Sequence, residues 1–226
     1  MNSRSEEIFK SVKVIRETLP SNILLLAAAK TRTLEEVKTV IKASVTHIGY
    51  NYVQEALPII QTIESKAKWH MIGHLQRNKA KIVVQNFDMI ETVDSLRLAQ
   101  TIDRYCEQIH KIMPILIEIN SGREANKTGV LPEEVDDLIQ KIASLANIHI
   151  EGLMTMGPRF GNPEDARPYF KIAKDAYERI AAKNLPNVSM RFLSMGMSNS
   201  YQIAIEEGAN IIRIGTKLFG QRQTSL

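Results

Sequence analysis

Residues 23–31 read Ile-Leu-Leu-Leu-Ala-Ala-Ala-Lys-Thr, so seven apolar residues lead directly into Lys30. A short, continuous apolar run of this kind is typical of a strand that is buried on both faces of a parallel sheet. The carboxyl end of such a strand is where α/β proteins place their chemistry. A partly desolvated lysine at that position can act as a nucleophile toward aldehydes. The same pattern also fits a lysine that only marks the exit of the strand into water.

Further apolar runs follow the first, and most of the segments between them have helical periodicity. The eight predicted strands cover residues 23–29, 45–49, 68–73, 88–93, 114–120, 147–154, 190–195 and 210–214. Leu34, Val37 and Ile41 recur at helical spacing, and a helix over 5–18 is predicted before the first strand. Alternation of strands and helices predicts right-handed βαβ units and a parallel sheet. We therefore predict an α/β fold with one domain over residues 1–226, a single (β/α)8 TIM barrel with an extra N-terminal helix.

The composition is that of a globular protein in a reducing compartment. Of the residues, 44% are apolar and 24% are charged, and Cys106 is the only cysteine, which excludes an internal disulfide. The first seven residues have no apolar core, and no run approaches the roughly 20 apolar residues that span a bilayer. We therefore expect no signal peptide, no membrane partner and a cytoplasmic location.

The net charge of +4 is small and spread along the chain. Its one basic cluster, residues 77–81, lacks the interleaved aromatic residues that are typical of a nucleic-acid groove. We expect no nucleic-acid partner, while a local basic site for a phosphorylated small ligand stays open.

Glycines and hydroxyl side chains follow the last two predicted strands. Ser194 and Gly196 end the seventh strand, and Gly215 and Thr216 end the eighth. Glycine allows the backbone close to an anion, while hydroxyls and free N–H groups donate hydrogen bonds to its oxygens. The loops after strands seven and eight often form the phosphate site of a barrel. Each pair alone also fits a tight strand-to-helix turn, but two pairs at neighbouring strands favour phosphate.

Arg213 lies inside the eighth apolar run, between Ile212 and Ile214. Because side chains alternate along a strand, the guanidinium points away from both neighbours, and inside a barrel it needs a partner. That partner is either a ligand heteroatom or a buried carboxylate such as Glu118 or Glu151.

Further polar side chains lie in or after the second and third strands. His70 alternates within the third strand and His74 follows it, but no third ligand with suitable spacing is near, so we predict no metal site. His70 fits better as a hydrogen-bonded residue of the barrel interior. Asn51 follows the second strand, where its amide either orients a ligand or caps a turn.

One end of the predicted barrel thus combines an amine, a phosphate site, an interior arginine and side-chain amides. A ligand with an aldehyde, a phosphate and a ring heteroatom would satisfy all of these groups together. Pyridoxal 5'-phosphate is such a ligand, and it is the cofactor that we predict.

The motifs together resemble those of the pyridoxal phosphate homeostasis proteins, single-domain relatives of the alanine racemase N-terminal barrel. The matching segments are residues 27–31, 49–55, 69–79, 118–120, 127–129, 152–156, 193–198, 213–216 and 219–220. The resemblance implies a pocket in which Lys30 forms a Schiff base with the cofactor. It implies further cofactor-binding residues: Ser194, Gly196, Gly215 and Thr216 at the phosphate, Arg213 at the pyridine nitrogen, and Asn51 and His70 elsewhere in the pocket.

Two residues qualify what the resemblance implies. Arg213 stays cationic, so it would leave the ring nitrogen unprotonated and the cofactor a weaker electron sink. Tyr50 stands where the family usually has glutamate, which removes a carboxylate from the neighbourhood of the site.

The implied function is intracellular homeostasis of pyridoxal phosphate (vitamin B6), in which the protein holds the cofactor on Lys30 and delivers it to apo-enzymes. In the alanine racemases that the barrel resembles, catalysis needs a second base from a C-terminal domain, and we expect no such domain after the eighth unit. We therefore expect a monomer with no catalytic residues. The alternatives are a pyridoxal-phosphate-dependent amino-acid racemase and, from another class, a Schiff-base aldolase or sugar-phosphate isomerase on the same barrel.

Overall fold

The computed structural model describes residues 3–158 and 161–221. Its eight strands are β1 (Leu24–Ala28), β2 (His47–Tyr50), β3 (Lys68–Met71), β4 (Met89–Val93), β5 (Met113–Ile119), β6 (Ile148–Thr155), β7 (Val188–Ser194) and β8 (Ile211–Ile214). Each strand pairs in parallel with the next, and β8 pairs with β1 to close the barrel. The predicted fold class is therefore confirmed.

The helices lie between the strands in chain order. They are α1 (Ser3–Thr18), α2 (Leu34–Lys42), α3 (Val53–Thr62), α4 (Ala80–Asn86), α5 (Leu96–Glu107), α6 (Val135–Ile142), α7 (Arg167–Ala181), α8 (Tyr201–Glu206) and α9 (Thr216–Phe219). Helix α1 is the predicted extra helix, and it packs against α2 and α9 through Ile8, Val12 and Ile15. None of the helices in the described ranges is long and apolar enough to cross a bilayer.

Two layers of buried side chains result from the alternation along the strands. The larger layer fills the space between the strands and the surrounding helices. Smaller apolar clusters fill the barrel interior, among them Leu26 with Ile211 and Leu116 with Met154. Five buried polar or charged side chains also belong to the inward-facing set: His70, Glu91, Glu118, Ser194 and Arg213. The barrel interior is therefore a mixed apolar and polar core that leads up to the carboxyl ends of the strands.

Tyr50 belongs to the outer layer and not to the barrel interior. Its ring packs against Trp69 with the centroids 6.3 Å apart, and the side chain is fully buried. Burial, with the nearby charge of Glu55, raises the pKa of the Tyr50 phenol above its ordinary value. The phenol oxygen has no hydrogen-bond partner among the described residues. The residue that departs from the family pattern thus faces the helices.

Replacing Tyr50 with phenylalanine is expected to raise the free energy of unfolding. A buried hydroxyl without a partner costs about 1–3 kcal/mol, and phenylalanine keeps the ring that packs on Trp69. Urea unfolding of the two proteins measures the difference. A variant that is less stable than the wild type by about 1 kcal/mol or more would show that the hydroxyl is satisfied in solution.

Candidate functional site

A cavity of about 540 Å³ opens at the carboxyl ends of the strands and brings together several predicted site residues. Its lining includes Lys30 after β1, Asn51 after β2, Arg213 on β8, and Gly215 with Thr216 after β8. The volume lies within the range of small-molecule sites, about 300–1,000 Å³. The residues therefore form one pocket, although they come from distant parts of the chain.

The turn after β1 sets the position of Lys30. The Ala29 N–H donates to the Gly49 carbonyl at 2.9 Å, which extends the β1–β2 pairing to the residue before the lysine. Thr31 then adopts a left-handed conformation, with φ of 63°, and its N–H donates to the Glu55 carboxylate at 2.9 Å. This turn is held from both sides, so the lysine projects from a defined backbone position into the cavity.

The Lys30 amine lies against Tyr52. Nζ donates to the Tyr52 hydroxyl at 3.3 Å and lies 4.7 Å from the centre of its ring, within the range of a cation–π contact. Tyr52 is 49% exposed, so this contact is accessible to solvent. The lysine is therefore more than a strand exit into water: it is a half-buried amine that faces a pocket.

The part of the cavity next to Lys30, where β8 ends beside β1, contains groups that suit an anion. A Cβ at Gly215 would lie 3.4 Å from the Ala28 carbonyl and 3.7 Å from its Cβ, which are ordinary contacts. The protein itself therefore does not require glycine there, and a side chain would take up space in the cavity. Thr216 and Ser198 add two hydroxyls to the same lining, and the Ser198 hydroxyl accepts from the Lys217 N–H at 3.3 Å.

Arg213 is buried beneath this lining, with its guanidinium held by β6 and β7. Nη1 donates to the Ser194 hydroxyl at 2.6 Å, and Nη2 donates to the Thr155 carbonyl at 2.9 Å. Burial lowers the pKa of the guanidinium, against the opposing charges of Glu91 and Glu118.

Of the two carboxylates expected from the sequence as partners of Arg213, Glu118 acts on it through charge alone and Glu151 pairs elsewhere. Glu151 pairs with Arg191 at 3.2 Å on the outside of the barrel, because it alternates away from the interior. Glu118 faces inward but makes no hydrogen bond to Arg213 among the described residues. Instead, Glu91 is linked to Arg213 through the Ser194 hydroxyl.

Three predicted site residues do not line the cavity. Ser194 and His70 are buried in the barrel interior and hydrogen-bond to Glu91 there. Gly196 makes the turn after β7 with φ of 89°, and a Cβ would lie 2.5 Å from the Cβ of Ala204. Its carbonyl accepts from the Arg213 N–H at 3.0 Å. Gly196 is thus required by the turn and holds the backbone of Arg213.

The two histidines considered for a metal are in different environments. His70 is enclosed by His47 and Glu91, whereas the His74 side chain is half exposed and lies 3.8 Å from Asp94. Within residues 3–158 and 161–221, the structure has no group of three or more metal-ligating side chains.

The structure adds site residues that sequence reasoning did not single out. Ser198 and Lys127 line the cavity, and Glu91 anchors the groups beneath it. For Ser198 the available signal was its position in the loop, because a hydroxyl beyond the end of β7 can reach the cavity. Ser194 is the last residue of β7 and lies below the cavity. For Glu91 the signal was a carboxylate inside an apolar strand, the same argument that applies to Arg213.

Glu118 is the second buried carboxylate of the barrel interior. Oε1 accepts from the Thr128 hydroxyl at 2.9 Å, while Oε2 has no partner in the part of the chain that the structure describes. Burial raises the pKa of Glu118 from 4.5 to about 7, against the opposing effects of the Thr128 hydrogen bond and of Arg213. The folded protein therefore favours the protonated carboxyl.

Replacing Glu118 with glutamine is expected to change how stability depends on pH. Because the pKa of this carboxyl is raised in the folded state, the free energy of unfolding of the wild type falls as pH rises from 4.5 through about 7. Glutamine does not titrate, so the variant does not lose this stability. Across that interval, the free energy of unfolding of the variant should rise relative to that of the wild type by on the order of 3 kcal/mol. Urea unfolding at about pH 5 and about pH 8 measures the gain. Parallel pH dependence of the two proteins would contradict the burial argument.

Comparisons with known proteins agree with this architecture. The family model of the alanine racemase N-terminal domain matches residues 5–223. The pyridoxal phosphate homeostasis protein of Aquifex aeolicus is 38% identical over 200 residues, which are 88% of this chain and 87% of that protein. Alanine racemase of Clostridium difficile has a TM-score of 0.81 at 17% identity, over 97% of this chain and 58% of the enzyme, which is a likeness of fold.

PipY of Synechococcus elongatus provides a solved relative in two states. Without pyridoxal phosphate its TM-score is 0.89 at 30% identity, and with pyridoxal phosphate bound it is 0.86 at 29% identity. Both comparisons cover 94% of this chain and 100% of PipY. With the matches above, they confirm the predicted resemblance: the chain belongs to the alanine racemase N-terminal domain family and, within it, to the pyridoxal phosphate homeostasis proteins.

Proposed function

We propose that this chain binds pyridoxal phosphate as a Schiff base on Lys30 and buffers and delivers the cofactor without robust catalysis of its own. The observation that carries the proposal is a single cavity that combines the Lys30 amine, the Gly215–Thr216 turn and Arg213. The names of the relatives and the pyridoxal phosphate bound by PipY support it.

Each group of the cofactor has a matching group in the cavity. The Lys30 amine would condense with the aldehyde, and one water would leave. Gly215 provides backbone space, and Thr216 and Ser198 provide hydroxyl donors, for the phosphate. Arg213 has N–H groups beyond the two that Ser194 and Thr155 accept, and these suit the pyridine nitrogen. Bound in this way, pyridoxal phosphate supplies an electron sink, weakened here because arginine does not protonate the ring.

The other predicted cofactor-binding residues have supporting positions in this proposal. Asn51 lines the cavity and offers a side-chain amide. His70 and Ser194 act from below through their hydrogen bonds to Glu91, and Gly196 shapes the turn above Arg213. We assign no catalytic residue and no metal.

The chemistry of the cavity favours a holding function over an enzyme. Its lining within the described ranges contains no histidine, carboxyl or thiol, so the groups available as bases are the Lys30 and Lys127 amines and the Tyr52 phenol that contacts Lys30. The enzyme alternative to exclude is therefore racemisation with Lys30 as one base and either Lys127 or Tyr52 as the other. We further propose that the protein is a cytoplasmic monomer whose macromolecular partners are apo-enzymes that use the cofactor.

Two measurements test the proposal. Titration of the cofactor-free protein with pyridoxal phosphate should produce a saturable visible absorbance band, and failure to bind would refute the function. Racemisation of several amino acids should stay far below ordinary enzyme rates, about 1–1,000 per second. Turnover at those rates would instead establish a racemase, and its loss in Lys127→Ala or Tyr52→Phe would identify the second base.

Delivery is tested by mixing the loaded protein with an apo-aminotransferase. Activation faster than that by free pyridoxal phosphate, at the concentration that the loaded protein releases, is the expected result. Activation no faster than that of the free cofactor would restrict the function to storage.

A further inference from the structure

A continuous chain of hydrogen-bonded side chains crosses the barrel beneath the cavity. His47 Nδ1 lies 2.8 Å from His70 Nε2, and His70 Nδ1 lies 2.7 Å from Glu91 Oε1. The Ser194 hydroxyl donates to Glu91 Oε2 at 2.6 Å and accepts from Arg213 Nη1 at 2.6 Å. The chain connects strands β2, β3, β4, β7 and β8, and Arg213, at its upper end, lines the cavity.

The direction of the hydrogen bonds is determined by the carboxylate in the middle. Glu91 has no solvent exposure. Burial would raise its pKa, but the His70 contact, the charge of Arg213 and the Ser194 hydroxyl hold the pKa below the ordinary value. An ionised carboxylate only accepts hydrogen bonds. The Ser194 proton therefore points to Glu91, and the lone pairs of its oxygen are left for Arg213.

This direction has a consequence for the arginine. Because the Ser194 hydroxyl acts as an acceptor toward Nη1, and the Thr155 carbonyl accepts from Nη2, the guanidinium is held at two of its nitrogens. Its other N–H groups stay available at the cavity. A fixed donor loses less conformational freedom when a ligand binds than a mobile one does.

His47 forms the lower end of the chain. Burial, together with the charge of His70, lowers the pKa of His47 to about 4, so His47 is neutral near pH 7. His47 lines a separate cavity of about 330 Å³ at the amino ends of the strands. The chain therefore reaches from one face of the barrel to the other, with Glu91 as its anionic centre.

Glu118 provides an internal comparison. It is as deeply buried as His70 and Arg213, and its charge also acts on Arg213, yet it makes no hydrogen bond to Ser194 or Arg213 in the described structure. An electrostatic influence on Arg213 is thus common to both carboxylates, while a hydrogen-bonded connection is specific to Glu91.

We propose that Glu91, acting through the Ser194 hydroxyl, is the positioning residue that fixes the Arg213 guanidinium for its ligand. This inference rests on the proposed function, because it assigns the ligand of Arg213 as the pyridine ring of pyridoxal phosphate. Glu91 itself touches no ligand and takes no part in a covalent step.

The test compares Glu91→Gln with Glu118→Gln, the same change at two buried sites near Arg213. A glutamine at 91 keeps the shape but removes the negative charge and replaces one of the two acceptor oxygens by an N–H₂ donor, so His70 and Ser194 can no longer both donate to position 91. Glu91→Gln should weaken pyridoxal phosphate binding by about tenfold or more and shift the visible spectrum of the bound cofactor. Glu118→Gln should change neither.

Two further measurements keep the test independent of folding and of the cofactor. Ser194→Ala removes the link with little change in volume and should reproduce the Glu91→Gln effect, while thermal unfolding reports whether each variant folds. In the cofactor-free protein, NMR of the Arg213 side-chain nitrogens should show faster guanidinium rotation in Glu91→Gln and Ser194→Ala than in the wild type.

The outcomes separate this inference from the proposed function. If the wild type binds pyridoxal phosphate but the folded Glu91→Gln and Ser194→Ala variants keep its affinity and spectrum, the positioning role is refuted and the function stands. Equal losses in Glu91→Gln and Glu118→Gln would show that charge alone acts on Arg213, which also refutes it. A wild type that fails to bind the cofactor refutes both.

Discussion

Replacement of Lys30 by alanine is expected to abolish the visible absorbance band that the protein acquires with pyridoxal phosphate. The band requires a covalent bond between the cofactor aldehyde and an amine, and Lys30 is the amine at the end of β1, in the same cavity as Arg213 and Gly215. Binding itself should weaken without disappearing, because the groups for the phosphate and the ring remain. Absorbance titration together with equilibrium dialysis measures the two effects separately.

Lys127→Ala is the matched control for this substitution. Lys127 also lines the cavity, but it lies in the loop between β5 and α6 and its amine pairs with Glu124. We expect Lys127→Ala to keep the band. If Lys30→Ala retains an unchanged band while Lys127→Ala loses it, the assignment of the binding lysine would move to Lys127.

Replacement of Arg213 by methionine is expected to destabilise the protein by about 3–5 kcal/mol, because it removes the cation from a buried charged network. Glu91 would keep His70 as a partner, but the Ser194 hydroxyl would lose its donor, and Glu118 would lose a positive charge that lowers its pKa. Chemical denaturation near pH 7 measures the loss. Methionine has a similar length and apolar character, so the packing of the stem is largely retained.

The pH dependence of this loss has a defined sign. Without Arg213 the folded-state pKa values of Glu91 and Glu118 rise, and a raised carboxyl pKa costs stability as pH increases. The difference from the wild type should therefore be largest above neutral pH and shrink as pH falls toward 4.5. Arg179→Met is the control, because its pair with Asp136 is half exposed and should contribute about 0–1 kcal/mol. A loss at Arg213 as small as at Arg179 would contradict the network.

The fold could be predicted from the sequence because the buried parallel strands appear in it as short apolar runs. The deviations lie at strand ends and have a physical cause. Val45 is buried but precedes β2, because apolar character reports burial and not ladder pairing. At the start of β7, Val188 pairs with Ile150 of β6 although its side chain is only partly buried, so the apolar pattern misses it.

The site was only partly predictable because closure of the barrel brings residues that are distant in the chain into contact. Lys30 and Gly215 could be assigned to the carboxyl face from their positions after strands. The depth of Ser194 inside the barrel could not be predicted in this way, because its partner Glu91 is 103 positions away in the chain. The hydrogen-bond partner of a carboxylate inside an apolar strand such as β4 can be assigned only when the strand that faces it across the barrel interior is known.

The central claim, that pyridoxal phosphate is held through Lys30, is tested most directly by chemical trapping. The wild-type protein is incubated with pyridoxal phosphate, reduced with borohydride, digested and mapped by mass spectrometry. The account predicts one cofactor-derived mass per chain, located on the peptide that contains Lys30. A label confined to a different lysine, or no label on a protein that binds the cofactor, would contradict it.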